Sequence, residues 1–483
     1  MAEKEKGKEE QQEKKREFTE ETPVETKHVL EVAGRRIEYT AHAGRMPLRN
    51  EKDEIEAQMF YVAYRRTDVP EGTRRPLMFS FNGGPGSPAL WLHLGALGPK
   101  RVRLQESGDL PKPPFELVDN EATWLEFTDL VFIDPVGTGY SRAIDDETGA
   151  KFWGVKGDIE SVGEFIRLFL TRYERWDSPL YLVGESYGTT RAAGLSGYLI
   201  DRGIAFNGIV LVSSILNFQT ARFHKGNDLP YILFLPTYTA TAWYHRRLPE
   251  DLQDSLQKAL REAEEFAIGE YASALALGDR LPEDRRQRVL EKLSRLTGLK
   301  PEYVDLRDLR IHIWKFCKEL LRDEKRTVGR LDSRFKGIDA DPSDSDPEHD
   351  PSMSAIMPPF TSMMNHYART ALGYKTDLVY EIFGGIKKPW DWGSAGEGHP
   401  DTSEALRRAL SKNPYMKVFV ASGYYDLATP YFATEYTLAH MGLDPTLRGN
   451  IATAEYEAGH MMYIHGPSLG RLRDDVAAFL SNS

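Results

Sequence analysis

The sequence predicts an α/β fold in which a mostly parallel central sheet is interrupted by a large helical insertion. Three observations carry this. Short apolar strand-like runs alternate with helical patterns up to about residue 218. The texture then becomes rich in Glu, Arg, Leu and Ala at helical spacing. A sheet-like run returns at Met416–Val420. Strands alternating with helices point to a parallel sheet covered on both faces.

Each segment has its own reason. The chain opens on a Glu-, Lys- and Gln-rich stretch to about Glu21, too polar to bury a core, so residues 1–22 are expected to form a disordered charged tail. His28–Val32, Arg36–His42, Ile55–Tyr64 and Pro76–Ser80 alternate between turn residues and read as antiparallel strands. Leu130–Ile133, Leu180–Val183 and Gly208–Val212 are short, fully apolar runs, and Gly157–Tyr173 lies among them with a helical pattern. Residues 23–218 thus form the first part of the core. Residues 249–326 are helical in pattern, with Pro249 and Pro282 near helix starts. Residues 219–400 are therefore expected to be a mostly helical cap, and 401–483 the second part of the core. The acidic run Asp339–Asp346 lacks the central Gly and terminal Glu of a calcium loop and reads as a solvated, flexible loop. The aromatic stretch Tyr231–Phe234, with Tyr238, Trp243 and Tyr244, reads as core packing of the insertion.

Composition narrows the function classes. A net charge of -11 gives no electrostatic reason for a nucleic-acid or anionic-membrane partner. No apolar run is long enough to span a bilayer. The first residues lack the apolar core of a signal peptide. The one cysteine, Cys317, permits no intrachain disulfide and reads as a buried small hydrophobe. Together these predict a reducing, cytoplasmic setting; a periplasmic or secreted protein whose signal has been removed is the alternative. The sequence leaves the oligomeric state open, a homodimer included.

The chemistry starts at Gly184-Glu185-Ser186-Tyr187-Gly188. This G-x-S-x-G follows an apolar strand and precedes a helix, the context of a nucleophile elbow. The strained turn lifts the Ser186 hydroxyl toward a substrate, and the helix N-terminus favours developing negative charge there. An activated serine needs a base, and the base an orienting carboxylate, in the chain order acid then histidine. Asp426 sits on a loop just past the returning strand, and His460 follows Gly459 near the C-terminus. His465 and Asp134 are the rivals. His465 lies deeper in the next segment, and Asp134 precedes the serine. An oxyanion needs two backbone donors. The Tyr187 amide is one, and Gly84 in the loop Asn82-Gly83-Gly84-Pro85-Gly86 is the other.

These motifs, with Asp134-Pro135-Val136-Gly137-Thr138-Gly139-Tyr140-Ser141 and Gly459-His460-Met461, resemble the serine carboxypeptidase family from about residue 78 to 463. The resemblance implies an α/β-hydrolase fold with a helical cap. It implies a peptide substrate with a free C-terminus, whose last residue is removed with no cofactor or metal. It implies that Asn82 and Glu185, beside Gly83, bind the terminal carboxylate. A carboxylate binding a carboxylate requires one shared proton. The sequence departs from the family at Ser80 (usually Trp), Ala96 (usually Glu), Ser87 (usually a disulfide Cys) and Gly188 (usually Ala). An esterase or acyltransferase on the same fold, and a non-catalytic binding module, are the competing readings.

Overall fold

The computed structural model describes residues 15–32, 34–393 and 399–482. Its centre is a ten-stranded sheet with nine strands in a row. β1 (Val24–Val32), β2 (Arg35–Arg49) and β3 (Ile55–Arg66) pair antiparallel. β4 (Leu77–Phe81), β5 (Asp129–Ile133), β6 (Leu180–Ser186), β7 (Gly208–Ser214), β8 (Lys417–Gly423) and β9 (Ile451–Tyr456) complete the row. Its order is β1-β2-β3-β5-β4-β6-β7-β8-β9. β3 meets β5 antiparallel, and every pairing from β5 to β9 is parallel. The off-path strand Arg142–Ala143 pairs with β3. β4 and β7 are buried along their whole length. β7 reads as a continuous apolar run for that reason, whereas β4, expected from Pro76–Ser80 to be an antiparallel strand, is a central strand parallel to both β5 and β6.

The helices used below are α1 (Val155–Arg172), α2 (Tyr187–Ile200), α3 (Leu235–Tyr244), α4 (Leu256–Phe266), α5 (Glu283–Thr297), α6 (Ile313–Glu319), α7 (Pro351–Thr370), α8 (Ser403–Lys412), α9 (Tyr431–His440) and α10 (Gly466–Ser481). α1 places Val162, Phe165, Ile166 and Phe169 on one stripe, at helical spacing, against one sheet face with α2 and α8. α7 and α10 cover the other face through Ile356, Phe360, Tyr367, Leu469 and Leu472. α5 starts behind Pro282 with Glu283 and Asp284 in its first turn and stops at Gly298, whose φ of 70° favours glycine.

Segment 219–400 divides by packing. α3 to α6 share a core of their own, with Phe234, Tyr238 and Cys317 inside it. α7 instead joins the core of the sheet. A two-stranded ribbon, Arg326–Val328 with Lys336–Ile338, separates the two parts, so β structure returns earlier than the sequence suggested. The acidic run is tied to the basic side of α6: Lys318 Nζ lies 2.5 Å from Asp339, and Lys315 pairs with Asp346.

The expectation of a disordered tail falls on residues 1–14 outside the described residues. Residues 15–22 lie along the sheet edge. Glu21 pairs with Arg45, Glu20 with Arg49 and Arg172, and the Thr19 carbonyl accepts from Gln58 at 2.7 Å.

Candidate active site

β6 delivers Ser186 to the start of α2 at φ 60°, ψ -129°. This backbone conformation is rare for a side-chain-bearing residue and costs about 1–3 kcal/mol. The turn closes because its neighbours lack side chains. A Cβ on Gly184 would meet the Gly188 carbonyl oxygen at 2.2 Å, and one on Gly188 would meet the Phe81 carbonyl oxygen at 2.8 Å. The departure at Gly188 thus lets the end of β4 press against the elbow. Tyr187 is the first residue of α2, so its amide has no intrahelical acceptor.

The glycine loop leaves β4 directly beside this turn. A Cβ on Gly83 would meet the Tyr187 nitrogen at 2.4 Å. Gly84 has φ +104°. Arg191 on α2 fixes the loop. One of its NH groups donates to the Asn82 carbonyl at 2.7 Å, and its guanidinium pairs bidentately with Asp158 of α1 at 2.8 and 3.1 Å. Both partners are fully buried, and removing one would leave an uncompensated charge.

Asp426 follows β8 and holds His460. The His460 Nδ1–H donates to Asp426 Oδ2 at 2.8 Å. Thr429 Oγ1 donates to the same oxygen at 2.7 Å. The amides of Ala428 and Thr429 donate to Oδ1 at 2.8 and 3.0 Å. The His460 backbone is pinned as well. Its amide donates to the Leu331 carbonyl at 2.6 Å, and its carbonyl accepts from Ser213 Oγ at 2.6 Å. Burial opposes a charged His460, yet the carboxylates of Asp426 and Glu185 outweigh it and hold its pKa above the usual imidazole value. Nδ1 is held by Asp426, and His460 shares the lining of one cavity with Ser186.

Ser186, His460, Glu185, Gly83 and Gly84 line one cavity of about 220 Å³. Glu185 is buried there. Burial pushes its pKa up to about 7, against the lowering pull of His460, the Tyr463 hydroxyl and the Asn82 carboxamide. Tyr463 donates to its Oε2. Asn82 Oδ1 accepts the Leu92 amide at 3.0 Å, and among the described residues its Nδ2 has no hydrogen-bond acceptor. Arg330, Leu331, Met353, Ile356 and Phe383 close the cavity, all from segment 219–400.

The rivals fall elsewhere. His465 bonds Ser468 at 2.8 Å and lines a different cavity. Asp134 accepts from the Ala89 amide at 2.9 Å and the Tyr380 hydroxyl at 3.4 Å, packed behind the glycine loop. Of the departures, Ser87 lines the cavity and accepts from Trp91 Nε1 at 2.8 Å, whereas Ala96 is buried in the core. Among the described residues, Asp339, Glu348 and His349 bring ligand atoms close enough for a metal ion, but the Lys318 ammonium already occupies Asp339.

Tyr463, Thr429 and Arg330 were not singled out from sequence. Tyr463 and Thr429 each lie three residues after a predicted site residue, and that spacing was the available signal. Arg330 had none, because the fold alone brings it to Ser186.

The serine carboxypeptidase profile matches residues 34–338, more than half of the chain. The chain belongs to the serine carboxypeptidase family. Asp426 and His460 lie beyond the matched span. The pheromone-processing carboxypeptidase KEX1 of Saccharomyces cerevisiae is 32% identical over 160 residues, 30% of this chain and 20% of that protein. Serine carboxypeptidase S10 family member 1 of Dictyostelium discoideum is 26% identical over 188 residues, 38% of this chain and 40% of that protein. The alignments thus span between a fifth and two fifths of these relatives' lengths. The crystal structure of the Saccharomyces cerevisiae prohormone-processing carboxypeptidase superposes with a TM-score of 0.56 at 16% identity, covering 92% of this chain and 91% of that one. That likeness is one of fold, and the fold is α/β-hydrolase.

Proposed function

We propose that this chain is a serine carboxypeptidase that removes the C-terminal residue of peptides through an acyl-enzyme. The observation that carries the reading is one cavity lined by Ser186, His460 and a buried Glu185 with a pKa of about 7, with Asp426 behind His460 at Nδ1. In this mechanism Ser186 Oγ attacks the scissile carbonyl, and His460 Nε2 takes its proton. Asp426 holds the imidazole through Nδ1. The amides of Tyr187 and Gly84 stabilise the oxyanion, whose charge sits at the N-terminus of α2. His460 then protonates the leaving amine, and water repeats the sequence on the acyl-enzyme. Asn82 Nδ2 and protonated Glu185 bind the terminal carboxylate, Glu185 through a shared proton.

N-blocked dipeptides with free C-termini, assayed against their C-terminal amides, test this directly. A strong preference for the free acids is expected. Equal rates on both, with Ser186 labelled by a fluorophosphonate, would favour the esterase or acyltransferase reading. Absence of both turnover and labelling would favour a binding module.

A further inference from the structure

Arg330 is the cation in the wall of the catalytic cavity. Its backbone is fixed on both sides. The amide donates to Asp350 Oδ1 at 3.1 Å, and the carbonyl accepts the Leu427 amide at 3.0 Å. The next residue, Leu331, holds the His460 amide. Arg330 is therefore tied by backbone to both the acid loop and the base. Its guanidinium lies 5.7 Å from the Trp314 ring centroid, and among the described residues no carboxylate lies within ion-pair distance of it. The contrast with its neighbours is sharp. Arg334 pairs with Asp332, and Arg191 pairs with Asp158.

Arg330 also lines a second cavity of about 540 Å³, with Arg222, His224, His312, Trp314 and Ala428. No Asp or Glu lines it among the described residues, in a chain of net charge -11. A half-buried guanidinium without a counter-ion has lost part of its hydration with no return, and a planar carboxylate is the partner its fork matches.

We infer that Arg330 binds a carboxylate of the substrate, either the terminal α-carboxylate or an acidic side chain beside the scissile bond. The inference rests on the carboxypeptidase reading and names the substrate chemistry that this site selects. A shared proton on Glu185 fails once both carboxylates ionise, whereas a guanidinium keeps its charge across the working pH range.

The test compares wild type, Arg330→Gln and Arg330→Lys on four matched N-blocked dipeptides. Two have neutral side chains, one as the free acid and one as the C-terminal amide. The other two carry Glu before the scissile bond, again as acid and amide. Loss of a charge-assisted contact should lower a selectivity ratio about tenfold or more in Arg330→Gln. Arg330→Lys should recover part of it. A fall in the acid-to-amide ratio assigns the contact to the terminal carboxylate. A fall in the Glu-to-neutral ratio assigns it to the side chain. Both ratios within about twofold of wild type in folded Arg330→Gln would overturn the inference. Failure of the carboxypeptidase reading shows separately, as wild type cleaving acids and amides equally, and the Glu-to-neutral ratio still tests Arg330 in that case.

Discussion

The two buried carboxyl groups that act on His460, Asp426 and Glu185, are held in opposite ways. Asp426 accepts from four donors, two loop amides and Thr429 Oγ1 on its own tight turn and the His460 ring. Glu185 is as deeply buried but has the Tyr463 hydroxyl and the nearby Asn82 carboxamide, and burial wins. The difference teaches how one fold sets two carboxyl groups to different tasks. Donors fixed by a loop suit an anion that must orient a histidine. Burial with few donors suits an acid that must share a proton with another carboxylate.

The largest expected effects break the group that Asp426 orients. Ser186→Ala and His460→Ala should each lower kcat about a million-fold, as loss of one member of a cooperating triad does. His465→Ala should stay close to wild type, since His465 bonds Ser468 in another cavity. Steady-state kinetics on one peptide checks all three, and the reverse pattern would move the base to His465.

A smaller loss isolates orientation. Asp426→Asn keeps the shape but can present an N–H to Nδ1, which favours the wrong tautomer and should cost about ten-thousand-fold in kcat. Single-turnover acylation rates would report it. A loss below about tenfold would mean that Thr429 Oγ1, 3.2 Å from Nδ1, and the backbone bonds of His460, not the carboxylate, hold the imidazole.

At Glu185, by contrast, substitution should stabilise the protein. The folded-state pKa of Glu185, about 7, lies above its unfolded value of 4.5. The stability linked to its proton is complete below about pH 4.5 and is lost as pH rises through 7. Glu185→Gln removes that loss. The variant should gain about 3 kcal/mol over wild type at pH 8 and almost nothing at pH 4. Denaturant melts at the two pH values measure it, and an equal change at both would show that Glu185 is not held in a protonated state.

Much of this was legible in the sequence, for physical reasons. Strands buried on both faces must be apolar, so β5 to β8 stood out; β4 was legible as a strand, but its parallel place in the centre of the sheet was not. The elbow and the glycine loop stood out because close backbone approach excludes side chains. β9 did not, because Ile451–Tyr456 is an edge strand whose residues are mostly exposed or half-buried and carry no apolar run. α7 read as part of one insertion because helical spacing says nothing about which core a helix joins. Arg330 lies 144 residues from Ser186 in sequence. It reaches the cavity only because the ribbon at Arg326–Ile338 turns the chain back over the site.

The measurement that tests the central claim most directly is kcat/KM against pH for a free-acid peptide and its C-terminal amide, in wild type and Glu185→Gln. His460 must be neutral to act as base, so every profile should fall on the acid side, where the raised imidazole pKa sets the limb. With the free acid, wild type should also fall on the alkaline side near pH 7, as Glu185 ionises and repels the substrate terminus. The Gln variant should lack that alkaline limb, and so should the amide with either protein. An alkaline limb near pH 7 that persists in Glu185→Gln would contradict the account.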